Sequence, residues 1–208
     1  GKTLQSGRTY YWKVKVWDRA GRESPWSAPA SFDTGLLGRS DWKGAWISGG
    51  NQLRKEFELP GHPKRARAYI SGLGYYELRL NGRKVGDHVL DPGWTTYDKL
   101  ALYATYDITG HLRPGKNAAA VMLGQGWFKS RALLCQLDIE FADGSRVVIA
   151  SDGSWKAVDG PVVEDSVYDG ETYDARRETP GWDLAGYDDS GWTQARVVKG
   201  PAGVLSAQ

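Results

Sequence analysis

Large and charged residues alternate along many short segments of the chain, and this two-residue period predicts β-strands. Residues 9–18, "TYYWKVKVWD", show the pattern clearly. Residues 118–124, "AAAVMLG", are instead apolar on both sides, which is typical of a central strand. The same reasoning predicts further strands over residues 53–59, 65–72, 75–82, 101–108, 135–141 and 146–151.

The alternation also predicts which side chains face a core. Successive residues of a strand point to opposite sides, so one row of apolar side chains marks the buried face. Cys135 falls in such a row, and we expect it to be a core residue rather than a nucleophile. The predicted inward rows are Ala66, Ala68 and Ile70; Tyr76, Leu78 and Leu80; and Cys135, Leu137, Ile139 and Phe141.

Turn residues connect these strands at short intervals. Asn81-Gly82 is a two-residue hairpin signal, and "ADGS" at 142–145 predicts a second hairpin. One helical turn is expected within residues 109–117, and no segment keeps a helical period over three turns. The fold class predicted is therefore all-β, an antiparallel β-sandwich of jelly-roll type.

The length of the predicted strands changes after the first forty residues. Two or three short strands, separated by a turn at Ala20-Gly21 and a proline-spaced bend, precede "GLLGRSDW". Longer strands begin beyond Trp42. We therefore predict two domains: residues 1–37 are the last strands of an incomplete sandwich, and residues 38–208 are the jelly roll.

The composition of the chain argues against some classes of binding partner. The chain has 208 residues, with 27 basic and 25 acidic side chains mixed along its length and a formal charge of +2. The sequence has no block of lysine or arginine residues of the kind that binds a nucleic-acid phosphate backbone, and no apolar run reaches the length of a membrane span. We predict neither a nucleic-acid nor a membrane partner, and the segment does not reveal where the protein is located. A single cysteine excludes an internal disulfide.

The aromatic content is unusual, with ten Trp and eleven Tyr against four Phe. In "DPGWTTYD" and "GQGWFKSR" an aromatic residue follows a glycine in a predicted loop, where strand alternation does not require burial. A sugar-binding site requires an exposed aromatic ring with polar side chains nearby. We predict Trp94, Tyr97 and Trp127 as sugar contacts, with Asn81 as a polar partner. The alternative is that these aromatics close the open end of the sandwich.

Catalytic chemistry has weak support in the sequence. Residues 164–176, "EDSVYDGETYDAR", contain five carboxylates, but spacing alone does not place two of them across a glycosidic bond. Salt bridges to Arg176 and Arg177 are the favoured interpretation of this loop. The three histidines are isolated, G-x-S-x-G is missing, and no two His or Cys residues have zinc-chelating spacing.

Calcium is the one metal ion that the sequence accommodates, since it accepts six to eight oxygen ligands from irregular loops. Asp87 and Asp91 are the candidate ligands, in the loop that also holds Trp94. The second candidate cluster consists of Asp165, Asp169 and Glu171. Neither of these two loops has an EF-hand pattern, and the alternative is that the carboxylates are solvated turn residues.

Four motifs occur in order between Trp42 and Gln208: "GLGYYELRLNGRKVGDHVLDPGWTTYDK", "LYATYDITGHLRPGKNAAAVMLGQGW", "YDGETYDAR" and "GWDLAGYDDSGW". Together they resemble the N-terminal region of bacterial α-L-rhamnosidases. Part of the pattern is shared with sugar-binding domains of other glycosidases. Residues 1–37 resemble the end of the fibronectin type III-like domain that comes first in these enzymes.

The resemblance implies a jelly-roll module that binds L-rhamnose with calcium in some members and packs on the catalytic domain in others. It implies that catalysis belongs to a separate (α/α)₆ barrel, so no catalytic residue is assigned here. The chain is expected to end at the linker to that barrel, near "GPAGVLSAQ".

Two functions follow from these observations. The favoured one is a non-catalytic module that binds a glycan with terminal L-rhamnose. The alternative is a structural accessory domain whose partner is the catalytic barrel of the same polypeptide, and it predicts an exposed apolar patch. Residues assigned to that interface are Trp127, Phe128 and Tyr173. A third hypothesis, hydrolysis by this segment alone, has the least support.

Overall fold

A computed structural model describes residues 3–128 and 131–208. Contacts within the chain divide it into two compact units, the first ending at Trp42 and the second spanning Lys43–Gln208. This division lies a few residues beyond the domain boundary predicted after residue 37, which stays a prediction.

The first unit is a small antiparallel pair of strands. Strand β1 (Thr9–Trp12) pairs with β2 (Ala30–Asp33), and a 3₁₀ turn (Arg39–Asp41) follows.

The strand predicted over residues 9–18 is shorter in the structure, Thr9–Trp12, because the backbone pairing beyond Trp12 is irregular. The amide groups of Val14 and Val16 donate to the hydroxyls of Ser27 and Ser24 instead of to backbone carbonyls.

The second unit contains the remaining strands and two short 3₁₀ turns, Thr109–His111 and Ala175–Arg177. The strands are β3 (Ile47–Ser48), β4 (Gln52–Leu59), β5 (Arg65–Leu73), β6 (Tyr75–Leu80), β7 (Arg83–Lys84), β8 (Leu100–Asp107), β9 (Gly115–Gly124), β10 (Ala132–Glu140), β11 (Arg146–Ala150), β12 (Lys156–Val158), β13 (Val162–Ser166), β14 (Gly170–Tyr173), β15 (Thr193–Gln194), β16 (Arg196–Val197) and β17 (Val204–Ala207).

Two sheets face each other across one core. The larger sheet has the order β16-β3-β10-β5-β8-β17, with β11 also paired to β10, and the smaller has the order β15-β12-β4-β9-β6-β7. Strands β13 and β14 form a separate hairpin. The core contains side chains from both sheets, including every residue of the three predicted inward rows. The all-β sandwich predicted from the alternation is thus confirmed, with residues 118–124 in a strand flanked on both sides.

The Asn81-Gly82 hairpin is confirmed in detail. Leu80 pairs with Arg83, and both turn residues have positive φ, 50° at Asn81 and 82° at Gly82. This is the two-residue geometry that favours Asn-Gly, since glycine adopts positive φ without steric cost.

The segment predicted as a linker is part of the sandwich. Strand β17 lies beside β8 and runs parallel to it, whereas all the other strand pairs among the described residues are antiparallel. Its four-residue length and weak alternation gave no strand signal. Among the described residues no helix is long and apolar enough to cross a membrane.

The motif "GWDLAGYDDSGW" is a structural element packed on the outer face of the smaller sheet. Trp182 and Trp192 stack with ring centroids 6.2 Å apart. Arg54 on β4 is 1% exposed and donates to the carbonyl oxygens of Trp182 and Leu184, both at 2.9 Å. The same guanidinium forms an ion pair with Asp189. Arg54 therefore holds this irregular segment against the sheet.

Candidate functional site

The loop between β7 and β8 holds Trp94 out of the core. Its indole is 56% exposed and stacks on Trp127, with centroids 5.0 Å apart and planes at 11°. Tyr168, at the tip of the β13–β14 hairpin, contacts Trp127 edge-on at 4.5 Å. Three loops distant in sequence thus bring their aromatic side chains together at one end of the sandwich.

Tyr97 lies in the same loop but points the other way. It is 6% exposed, its hydroxyl accepts a hydrogen bond from the Gly74 amide at 3.0 Å, and Phe128 packs edge-on against its ring. Burial raises the pKa of its phenol. Because its ring is covered, Tyr97 does not present an exposed platform, and its role as a sugar contact stays a prediction.

A groove of about 550 Å³ opens beside Trp94. Tyr97 and Phe128 contribute to its apolar lining, together with Leu73, and Trp127 is not among the lining residues. The volume falls within the range of small-molecule sites, which are mostly apolar with a few polar groups. The polar side chains that line it are Ser48, Thr95, Thr96, Asp98, Arg131 and Lys199.

Asp91 fastens the base of this loop. Its carboxylate accepts hydrogen bonds from the Tyr106 hydroxyl at 2.6 Å, from Nδ1 of His88 at 2.9 Å and from Nε2 of Gln208 at 3.1 Å. Burial opposes ionisation, but these bonds together hold the pKa of Asp91 below its ordinary value. The oxygen atoms predicted as calcium ligands are thus occupied by hydrogen bonds to the protein. Asp87, the other predicted ligand, is exposed.

Asn81 lies away from the groove. Its side-chain oxygen accepts from the Ala118 amide at 2.9 Å, and its Nδ2 donates to the His111 carbonyl at 2.9 Å and to Oδ1 of Asn117 at 2.8 Å. The structure does not bring Asn81 together with Trp94, and its amide supports the hairpin turn.

The acidic segment 164–176 forms the β13–β14 hairpin. Asp165 accepts from the amide groups of Gln125 and Gly126 and from Arg131 at 2.6 Å, so it anchors the loop of Trp127. Asp169 accepts from Ser166 within the hairpin turn.

The carboxylate of Asp174 pairs with Arg176 and Arg177, as predicted. The Arg176 guanidinium lowers the pKa of Asp174. Tyr173, predicted as an interface residue, is exposed on β14.

A second cavity of about 290 Å³ lies under the same hairpin. Leu90 and Val167 line it, together with Asp165 and Glu171. Across residues 3–128 and 131–208, no three His, Cys, Asp or Glu side chains are grouped so that they could hold a metal ion. The calcium site stays a prediction.

Several residues of the groove gave no signal in the sequence. Arg131 and Lys199 come from positions far from the Trp94 loop, and only the pairing of the strands brings them to it. Tyr168 could have been found as an aromatic residue in a turn, by the same reasoning that identified Trp94.

Two family profiles match the chain. The profile of the α-L-rhamnosidase N-terminal domain matches residues 61–208, and that of the Rha78A-like, N-terminal immunoglobulin domain matches residues 1–38.

Individual proteins with similar sequences and structures belong to the same family as the matched profiles. An α-L-rhamnosidase of Formosa agariphila is 37% identical over the whole chain, and one of Streptomyces avermitilis is 47% identical over 72% of it. The solved structure of α-L-rhamnosidase from Dictyoglumus thermophilum covers all of this chain with a TM-score of 0.94 at 39% identity.

The chain spans only part of these proteins. It covers 27% of the Formosa agariphila enzyme, 16% of the Streptomyces avermitilis enzyme and 27% of the Dictyoglumus thermophilum structure. The matched profile includes more than two thirds of the chain, and the identity extends over its full length. The chain therefore belongs to the family of α-L-rhamnosidase N-terminal domains.

Proposed function

We propose that this chain is a non-catalytic module of an α-L-rhamnosidase that binds terminal L-rhamnose in the groove beside Trp94. The observation that carries the proposal is the exposed indole at the edge of a 550 Å³ groove lined by both apolar and polar side chains. The parent polypeptide is proposed to be a glycoside hydrolase with its catalytic groups in another domain.

Trp94 has the properties of a sugar platform. Trp127 stacks on one face of its ring, which restricts the indole without covering it, since more than half of its surface stays accessible. A pyranose presents a C–H face that packs on such a ring. A side chain already held in place loses little entropy when the ligand binds.

The rest of the groove matches the other features of a 6-deoxy sugar. L-Rhamnose has a methyl group in place of the usual hydroxymethyl group on C5, and the apolar wall of Leu73, Phe128 and Ala132 suits that methyl. The Thr95 hydroxyl donates to the Leu100 carbonyl at 2.5 Å and can still accept a hydrogen bond from a sugar hydroxyl. Thr96, Asp98 and Lys199 also line the groove and offer polar groups to the ring hydroxyls.

The affinity should be modest because a monosaccharide buries few atoms. We expect a dissociation constant on the order of micromolar to millimolar. Isothermal titration calorimetry with L-rhamnose, with added Ca²⁺ and separately with a chelator, tests the proposal and the calcium prediction together. Trp94→Ala should abolish the heat, while Trp26→Ala, an exposed tryptophan in the first unit, should leave it intact. No heat from the unaltered chain in either condition removes the proposal.

A second function is supported by a different observation. Tyr168 is 75% exposed and contacts Trp127, and the exposed side chains of Val89 and Leu90 belong to the loop that also holds Trp94. Exposed apolar surface of this kind is typical of a docking site. The proposed occupant is the catalytic domain of the same polypeptide.

A Tyr168→Ser substitution distinguishes this second function from the first. It should lower the melting temperature of the longer rhamnosidase while leaving that of the 208-residue chain unchanged. Equal effects on both proteins would refute docking at this surface.

A further inference from the structure

The last residue of the chain is attached to the Trp94 loop. The amide of Gly93, next to Trp94, donates to Oε1 of Gln208 at 2.6 Å. Nε2 of the same side chain donates to the Asp91 carboxylate at 3.1 Å, and the Gln208 amide donates to the Tyr103 carbonyl at 3.0 Å. One glutamine therefore connects the base of the loop to β8.

The other end of the loop is held by the residues that begin β17. The Gly203 amide donates to the Tyr97 carbonyl at 3.2 Å, and the Val204 amide donates to that of Lys99 at 3.0 Å. A Cβ atom at Gly203 would overlap the Tyr97 carbonyl oxygen, so this close approach requires glycine.

The residues just before this contact form part of the groove itself. The lining of the groove includes Val198, Lys199, Gly200 and Pro201 as well as residues of the Trp94 loop. Residues 198–208, which we name the strap, therefore contribute to the lining of the groove and also hold the Trp94 loop.

We propose that the strap positions the Trp94 loop, with Gln208 as its positioning residue, and that sugar binding and docking of β17 stabilise each other. Two sites that share one structural element influence each other reciprocally, because a ligand that needs the docked strap also favours it. The positioning part stands on the contacts above, whereas the linkage to sugar rests on the proposed function.

Hydrogen exchange measured by NMR on the sugar-free chain tests the positioning part. In Gln208→Ala the amides of Gly93 and Gly203 should exchange about tenfold faster, because two hydrogen bonds to the loop are lost. The matched control is Gln194→Ala, an exposed glutamine of β15 in the other sheet. Gly203→Ala, which displaces the strap from its other end, should have the same effect. Unchanged exchange at Gly93 in both strap variants would overturn the proposal.

Titration with L-rhamnose tests the linkage. The unaltered chain should bind about tenfold more tightly than Gln208→Ala, and the sugar should slow exchange at the Val204 amide. Equal affinities for the two proteins would overturn the linkage while leaving the proposed function in place. If the unaltered chain binds no sugar, the proposed function and the linkage both fail, and the exchange data still decide whether the strap positions the loop.

Discussion

Trp94 and Trp127 stack nearly parallel, with ring centroids 5.0 Å apart, although 32 residues separate them in the sequence. One comes from the connection between β7 and β8, and the other from the residues that follow β9. Only the sandwich brings these two loops to the same end of the molecule. The stack supports an exposed indole, and the proposed sugar site depends on that support.

Removing the support should weaken the site without destroying it. Stacked aromatic pairs contribute about 0.5–1.5 kcal/mol beyond their buried area. In Trp127→Ala we therefore expect rhamnose affinity to fall by up to about tenfold, as measured by calorimetry. The free energy of unfolding should fall by no more than about 1.5 kcal/mol, the stacking contribution, because Trp127 is 44% exposed. An unchanged affinity would show that Trp94 needs no partner.

The buried Arg54 should be decisive for stability. Its guanidinium bonds to two carbonyl oxygens and to Asp189, and it lies 5.4 Å from the Tyr187 ring centroid. Arg54→Met leaves these acceptors unpaired, and the free energy of unfolding should fall by roughly 3 kcal/mol. Urea denaturation measures the change. Arg196→Met, at an exposed position on β16, is the control and should shift stability by less than about 0.5 kcal/mol. A similarly small loss in Arg54→Met would contradict the assigned role.

The hydrogen bonds to Asp91 predict a pH dependence. Since folding lowers the pKa of Asp91, its contribution is complete above the unfolded pKa of about 3.9. It is then lost as the pH falls through the lower folded value. Asp91→Asn should therefore be less stable than the unaltered chain by about 1–2 kcal/mol at pH 7.

The difference between these two proteins should shrink progressively below about pH 4. Thermal unfolding followed by circular dichroism at pH 2 to 7 checks this, with the exposed Asp87→Asn as the control from the same loop. A stability difference that is constant across this range would count against an ionised, bonded Asp91.

Cys135 should be chemically inert in the folded chain. Its thiol is completely buried in the core, and burial raises its pKa to about 12. Because only the thiolate reacts with Ellman's reagent, labelling at pH 8 should be at least about a hundredfold slower than in guanidinium chloride. Rapid labelling under native conditions would mean that the sheet containing β10 opens readily.

The regular strands could be predicted from the sequence because their burial follows the alternation of side chains. Tyr76, Leu78 and Leu80 face the core, as a two-residue period requires. The loops could not be predicted in the same way. Trp94 and Tyr97 lie three residues apart in one irregular segment, and only tertiary contacts, such as the bond from the Gly74 amide, decide that Tyr97 is buried while Trp94 is exposed.

Long-range pairing also explains what the sequence did not reveal about the groove. Gln208 and Lys199 carry no motif, and they reach the Trp94 loop because β17 adds to the edge of the larger sheet. A four-residue strand with little alternation has no periodicity to detect. For Asn81, the turn was predicted correctly from the sequence. The role of its side chain was not, because only the structure shows that its amide forms hydrogen bonds that support the hairpin.

A titration of the isotopically labelled chain with L-rhamnose, followed by NMR, is the most direct test of the proposed sugar site. The indole N–H resonance of Trp94 and the backbone amide resonances of Thr95, Thr96 and Lys199 should shift together as the sugar is added. The resonances of Trp155, in the core, and of Trp26, in the first unit, should stay in place. Shifts confined to other parts of the chain, or no shifts at millimolar sugar, would contradict the assignment of this groove as a rhamnose site.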